Sequence, residues 1–534
     1  MPVTEIMGFG GVPPRVNASV LPDHMAQTAL NCTLWNKDLR SLKELATIVV
    51  PHPISITIKS IYRIGQEVDE TQYWMAWGTD VNVVRGMIAG DTSERTYYTG
   101  DGVPKVTNLA MATIGGLGYP VLSYVLGIPA PLDAPICAAS NADAPVETRA
   151  YLYTYVSAFG EEGKPSAPTK VEVSQTGSVT LTGLSPGPTG NYQIVSKRIY
   201  RSQSTSSGSA IYEFVAEIAV SAISYVDSVL GTDLGEEITT LDYDMPPATM
   251  AGIVAMPNGI MAAFDGYDIL FCEPFLPYAW PEKYRLTADY PIVGLGVFGS
   301  SLVVLTKGIP CLITGVDPAN MSMERIELPQ SCVAKRSIVS IEGGVIYASP
   351  DGLVYVGAGG SRVLTQDKFT RKEWQALHPW TIEAYWTDGK YVATFTEGGG
   401  FILDSIEDAE FTFFDDTATA GYSDPVNDSL YLCVAGEIKK FGAGSDKEYT
   451  WKSKKFQYMG RTSPAFGRVD ADAYPVTFKL YANGVLKHTQ TVADERPFAL
   501  PSGYRPRELE IELSGTNPIR YVGMADAYGE FKIG

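Results

Sequence analysis

Histidine is scarce in this sequence, with only His24, His52, His378 and His488, far apart along 534 residues. They form no H-E-x-x-H pair and no other paired metal-ligand spacing, so no metal or cofactor site is expected. His378 precedes Pro379-Trp380 and reads as a packed or turn histidine. Cysteine is nearly as sparse. Cys32, Cys137, Cys272, Cys311, Cys332 and Cys433 make no C-x-x-C pair, too few and too spread for a disulfide scaffold. They are expected as buried free thiols of a protein made in a reducing cytoplasm. A G-x-S-x-G elbow and calcium loops of the D-x-D-x-D-G type are also missing.

Positive charge is in deficit. There are 41 basic against 60 acidic residues, a net charge of −19. Nucleic-acid binding needs a basic footprint to neutralise phosphates, so tight DNA binding is not expected. An acidic surface suits solubility, and equally suits DNA that must slide past without adhering. No run of 18 apolar residues exists, so no membrane span is expected. No basic-then-apolar signal segment opens the chain. The expectation is a protein that leaves its producing cell, if at all, by lysis or within a particle.

What is abundant points to strands. The chain has 31 Tyr, 19 Phe and 8 Trp, with 52 Gly and 35 Pro spread along it. Many turns between aromatic and β-branched runs argue for an all-β fold. At about 100–200 residues per domain, the length suggests three or four domains.

Residues 1–50 read as an N-terminal extended arm, because Gly8-Phe9-Gly10-Gly11-Val12-Pro13-Pro14-Arg15 breaks both regular periods. A short helix is expected from Asp23 to Leu30, with Asp23 as N-cap. Residues 51–134 form a first propeller-blade region. Candidate strands there are Ile56–Ile58 and Ile61–Ile64, read as a pair, then Tyr73–Trp77, Val81–Val84 and Arg95–Tyr98, all read as one antiparallel unit. Residues 135–247 read as an inserted β-sandwich of short strands, with Ala138–Pro145 as a linker; Gly160-Glu161-Glu162-Gly163, the Pro165/Pro168 exit, Leu184-Ser185-Pro186 and Lys197–Arg201 give it a resemblance to a fibronectin type III module. From 248 to 445 a repeat emerges. Strand starts recur at Ile253, Ile292, Ile338, Ile382 and near Ala420, at roughly 40–45 residues, the length of a four-stranded blade. With the blade before the sandwich this gives a β-propeller of about six blades. Residues 446–534 are a C-terminal β-domain. In it Val476–Tyr481 and Val485–Lys487 flank the hairpin turn Asn483-Gly484, and Glu508–Leu513 alternates charged-out and apolar-in.

Catalytic templates fail one by one, and the chain is not expected to be an enzyme. Gly160-Glu161-Glu162-Gly163-Lys164-Pro165-Ser166 has the look of a phosphate loop, but its spacing is wrong and Pro165 removes a needed N–H. It reads as a surface turn. Ser349-Pro350-Asp351-Gly352 partly resembles the Asp-box turn of sialidases. Leu353, Val354 and Tyr355 stand where Thr and Trp are expected, so a structural turn is the better reading. The aromatic and proline-rich run Phe271–Pro281 could line a sugar groove, but reads better as a rigid loop packed on a core.

That run carries a resemblance. Asn258-Gly259-Ile260-Met261-Ala262-Ala263-Phe264, followed by the stretch ending at Trp280-Pro281, is similar to the tail nozzle (tail tubular protein B type) family of short-tailed bacteriophages. Gly8–Gly11 with Pro13–Arg15, Leu21-Pro22 and Ala26-Gln27 agrees, as do Arg95–Pro104 and Pro497–Arg505. The resemblance implies a structural subunit of the virion, made in the host bacterial cytoplasm. It implies a homo-hexameric ring below the portal and its head-to-tail adaptor, enclosing the genome exit channel. Implied partners are that adaptor, tail fibre or spike proteins, and a tip or plug protein. Double-stranded DNA would pass transiently without specific binding. No catalytic residues carry over. The alternative is a propeller-type glycan-binding or glycan-degrading tail protein. A surface adhesion module is a third reading, which the missing signal segment disfavours.

Overall fold

The computed structural model describes residues 4–49, 56–65, 69–88, 90–115, 119–141, 143, 145–204, 210–457 and 463–531. Regular structure among them is strand, apart from the short α-helices Leu109–Thr113 and Arg371–Ala376 and single 3-10 turns. The chain divides into two compact units. One comprises Met1–Gly78, Val303–Pro310 and Arg325–Gly534; the other comprises Thr79–Leu302 and Cys311–Glu324.

In the second unit, Asn82–Arg85, Thr96–Thr99, Lys105–Thr107 and Tyr124–Val125 form a four-stranded sheet in chain order. Ala251–Ala255, Met261–Asp265, Asp268–Phe271 and Leu286–Thr287 form another. The first strands of these sheets lie side by side, and Ile292–Phe298 lies next to the latter. Four-stranded meanders meeting along their first strands are propeller blades. Between the two in sequence lies a sandwich of seven strands, Ile136–Ala139 to Ser224–Asp227, split into sheets of three and four. Tyr151, Tyr153 and Tyr155 point into the core with Val173, Leu181 and Ile199. On the opposite face, Leu152 and Tyr200 are covered by Ile238 and Phe214. Burial on both faces explains why Tyr151–Val156 lacks a polar side.

The first unit repeats the pattern. Its blades are Val339–Ile341 to Gly360–Val363, Glu383–Thr387 to Phe411–Phe414, and Ala420–Asp424 to Glu437–Lys440, the last completed by Ala46–Val49 from the N-terminal arm. Their first strands neighbour one another, with Ser60–Arg63 beside Ala420–Asp424. The chain is an all-β, propeller-type fold carrying a β-sandwich insert and a C-terminal β-domain. The first strands after the sandwich begin at Ala251, Ile292, Val339, Glu383 and Ala420, close to the starts given by the repeat.

The C-terminal domain is a sandwich that the arm completes. Thr4–Met7 adds to Ile519–Ala525 in one sheet. Ala26–Leu30 pairs antiparallel with Tyr449–Ser453, and Leu30 pairs in parallel with Phe413. One continuous sheet thus runs from the blade starting at Glu383, through Ala26–Leu30, to the edge strand Val485–Val492. The hairpin at Asn483-Gly484 forms as expected. Phe9 is fully buried, edge-on to Trp451 with centroids 4.9 Å apart, and Trp451 Nε1 donates to the Gly10 carbonyl. The arm passes so close to the blade that a Cβ on Gly11 would lie 2.5 Å from the Phe411 carbonyl oxygen.

Several expectations are corrected. Asp23–Leu30 is not a helix. Residues Ala26–Leu30 sit between two open strand edges, and pairing with both overrides local helix preference. The single antiparallel unit expected between Ile56 and Tyr98 is two sheets. Ile56–Ile58 is not a strand. Ser60–Arg63 pairs only with Trp74–Trp77, and Asn82–Arg85 pairs forward with Thr96–Thr99. Arg63 explains the break, because it reaches Asp424 in the first unit and holds the hairpin there. Ile136–Ala139 is a sandwich strand paired with Val179–Thr182, so the linker assigned to Ala138–Pro145 begins after Ala139. Leu509, Ile511 and Leu513 point inward as expected, but Glu510 is also buried, because Lys452 pairs with it at 2.9 Å and Gln27 of the arm donates to it at 2.7 Å.

The arm's contact with Phe411 gives a test. Gly11→Ala is expected to lower stability by about 1–3 kcal/mol, the range for forcing an extra methyl into a packed site. Gly359→Ala, where an added Cβ meets nothing within 4 Å, should stay within about 0.5 kcal/mol of the parent. Urea midpoints of the two variants check this.

Candidate functional site

Buried ions mark the joints of both units. Arg63 donates through Nε at 3.0 Å and Nη2 at 2.7 Å to Asp424 Oδ2, with both side chains at most 2% exposed. Asp424 Oδ1 accepts from the Val426 amide. In the sandwich, Asp227 Oδ2 accepts from Arg201 Nη1 at 2.7 Å and from the Tyr151 hydroxyl at 2.6 Å. A buried charge is tolerable only when paired and hydrogen-bonded in this way.

The segment Gly160–Ser166, expected on the surface, is a turn whose carboxylates face inward. Glu161 and Glu162 are 8% and 6% exposed. Glu162 accepts from Thr154 Oγ1 at 2.6 Å, from the Tyr200 hydroxyl at 2.7 Å and from Arg198 Nη1 at 2.8 Å. Glu161 accepts from Arg95 Nη1 at 3.2 Å, and Asp91 accepts from Arg95 Nε at 3.0 Å. Lys164 bonds Asp244 at 2.6 Å. A Cβ on Gly163 would lie 2.7 Å from Ile128. The sandwich is therefore clamped to the blade that precedes it, and its turn amides are not a phosphate cradle: Gly163 and Ser166 donate to the carbonyls of Tyr155 and Tyr153. Burial pushes the Glu161 carboxyl above its ordinary range, with Arg95 opposing. Burial also pushes Asp91 upward, but hydrogen bonds from Ser93 and Arg95 outweigh it and hold the carboxyl at about 2.

The other residues singled out in the sequence fall into structural places. Ser349 is buried, and its hydroxyl accepts from the Asp351 and Gly352 amides. The run Phe271–Pro281 packs Phe271, Cys272, Ala279 and Trp280 into the blade core, and leaves Phe275 half exposed. His378 caps a turn at φ 52°, with Nδ1 3.2 Å from Glu397. His488 lies over Phe498, 6.5 Å between centroids. His24 lies within the arm, where a Cβ on Gly10 would touch its ring. His52 lies outside the described residues. All six cysteines are free. Burial pushes Cys32, Cys272 and Cys332 to about 12 and Cys137 to about 11, so none of these four is a thiolate near neutral pH. Among the described residues no group of three or more His, Cys, Asp or Glu is placed to hold a metal ion.

Two clefts in the first unit were not foreseen. The smaller, about 460 Å³, lies beside the Asp351 turn. Both oxygens of Asp351 are engaged there, by Arg371 at 3.0 Å and by Gln330 at 2.8 Å. The larger, about 520 Å³, lies where the arm, two blades and the C-terminal domain meet. Its floor includes Leu42, Val392, Ile402 and Leu430, all buried, with Phe441 packed beside them. Its rim carries the cations Arg40, Lys43 and Lys390 and the carboxylates Asp388, Asp428 and Asp446. Arg40 Nε is buried with no hydrogen-bond partner. The rim residues come from segments hundreds of positions apart, so no local motif could announce them.

Against known proteins, no family model matches the chain, and no curated protein does. Solved structures similar to parts of it include BamB from Moraxella catarrhalis, at 10% identity and TM-score 0.24, covering 54% of this chain and 91% of that one. Two structures of BBS1N in complex with ARL6DN are also similar. The mercury-soaked one has 11% identity, TM-score 0.29 and coverage of 67% and 90%; the lead-soaked one has 12%, 0.28, 68% and 93%. At these scores the assignment to propeller blades rests on the sheets themselves.

Two predictions follow from the joints. Asp424→Asn leaves the Arg63 guanidinium buried without its counter-charge, and is expected to cost about 3–5 kcal/mol, read from denaturation midpoints. Asp91 titrates lower in the folded chain than its ordinary 3.8. Its stabilising contribution, about 2 kcal/mol, is present above pH 4 and fades as pH falls toward 2. Asp91→Asn should remove that acid-limb loss, measured as hydrogen-exchange protection of the 150–165 amides against pH.

Proposed function

We propose that this chain is a structural subunit of a short phage-tail nozzle, a hexameric ring below the portal and adaptor through which the genome leaves the virion. One observation carries the reading: the segments that resemble the nozzle family are joints of the fold. Gly8–Arg15 threads the arm against Phe411 and Trp451. Arg95 holds Asp91 and Glu161 together. Phe271–Pro281 seals a blade core, and Phe498–Leu500 packs against the C-terminal core through Phe498 and Leu500. A load-bearing tube calls for fixed joints of this kind. The net charge of −19 is compatible with a channel wall to which DNA does not adhere. In this reading the adaptor sits on one face of the ring, fibres or spikes attach outside, and a tip or plug protein closes the far end. No catalytic role or cofactor is assigned.

The test is assembly. Native mass spectrometry and negative-stain microscopy of the purified chain, alone and mixed with the adaptor from the same genome, should show rings or complexes of six copies. A chain that stays monomeric beside its adaptor would sink the proposal. Cleavage of a host surface polysaccharide by the purified chain would replace it with the glycan-degrading alternative.

A further inference from the structure

We propose that the larger cleft of the first unit binds a single acidic sugar residue, such as a uronic acid. The inference stands on the cleft alone and does not rest on the nozzle reading. A volume of about 520 Å³ falls within the range of small-molecule pockets. The apolar floor of Leu42, Val392, Ile402 and Leu430, with Phe441 at its edge, offers a surface for the C–H face of a sugar ring. Above it the rim alternates charge of both signs with hydroxyl side chains such as Thr33, Ser41 and Ser429.

The chemistry of the rim selects among ligands. Arg40 uses Nη2 on Asp38 at 3.1 Å, and its side chain stays 39% exposed at the cleft rim. A carboxylate is the acceptor best matched by the donors that a guanidinium leaves exposed. Among the described residues the side chains of Lys43, Asp428 and Asp446 have no ion-pair partner, although all three line the same cleft. Unpaired carboxylates at a rim accept hydrogen bonds from vicinal hydroxyls. They also repel a doubly charged anion, so phosphate is disfavoured where one carboxylate on a polyhydroxylated ring is accommodated. One carboxylate for Arg40 and Lys43, hydroxyls for Asp428 and Asp446, and a ring face for the floor together describe a sugar acid.

The test uses the full chain with sodium glucuronate, glucose and inorganic phosphate as probes, by saturation-transfer NMR and titration calorimetry. Glucuronate should bind, with glucose about fivefold weaker or more and phosphate failing to compete. Arg40→Gln should weaken glucuronate about tenfold while leaving glucose unchanged. Lys43→Gln, at an exposed position, should act in the same direction and serves as the second variant if Arg40→Gln does not fold. Asp446→Asn should weaken both sugars. The proposal is overturned if native protein shows no transfer to glucuronate, if phosphate competes as well as glucuronate does, or if glucuronate binding survives the folded Arg40 or Lys43 variants unchanged.

Discussion

The strand Ala26–Leu30 is bonded along both of its edges, to Tyr449–Ser453 and, through Leu30, to Phe413. Without it the blade starting at Glu383 and the C-terminal sheet would each present an open edge, with amides and carbonyls unpaired and a template for pairing between chains. Its neighbours in sequence serve the same join. Phe9 fills the space under Trp451, Gly11 lies against the Phe411 backbone, and Ala46–Val49 supplies the last strand of the blade that begins at Ala420. The first fifty residues are thus less a tail than the mortar of the first unit. Strands far apart in sequence must be present before these early residues find their places, so much of this packing is non-local.

Between sheets the fold relies on paired ions where hydrophobic contact alone would have served. A buried pair such as Arg63–Asp424 or Arg201–Asp227 contributes little net stability over apolar residues of equal volume. Its effect is on alternatives: each guanidinium has one acceptable position, and a hairpin or turn shifted by one residue would strand a charge. The hairpin Ser60–Trp77 shows this, since its Arg63 is satisfied only beside the blade strand ending at Asp424. The turn at Glu161 and Glu162 does the same for the sandwich, through Arg95 and Arg198.

Periodic features of the fold were legible in the sequence. The recurrence of first strands at intervals of 37–47 residues and the Asn483-Gly484 hairpin follow from local pattern and turn chemistry. The errors lie where tertiary pairing outweighs local preference. Ala26–Leu30 reads as helix because nothing nearby reveals two waiting edges. Ala138 and Ala139, the end of the strand Ile136–Ala139, read as linker because small residues carry little strand signal. Glu161, Glu162 and Glu510 read as solvent-facing because a glutamate is rarely buried unless paired, and their partners Arg95, Arg198 and Gln27 come from elsewhere in the chain.

The larger cleft belongs with these errors and shows their common cause. Its floor is a small apolar core shared by the arm and two blades. Its rim is whatever polar residues the adjoining loops bring to the seam. A seam between separately patterned pieces leaves unfilled volume, because each piece is packed to its own periodicity and the junction to none. Of the charged side chains arriving there, Lys43, Asp428 and Asp446 have no ion-pair partner among the described residues, unlike Arg63 and Asp424. The guanidiniums of Arg63 and Arg201 are buried against their carboxylates, whereas Arg40, held on Asp38 through Nη2, stays 39% exposed at the rim. The contrast separates an ion placed to fix the fold from one still able to receive a ligand.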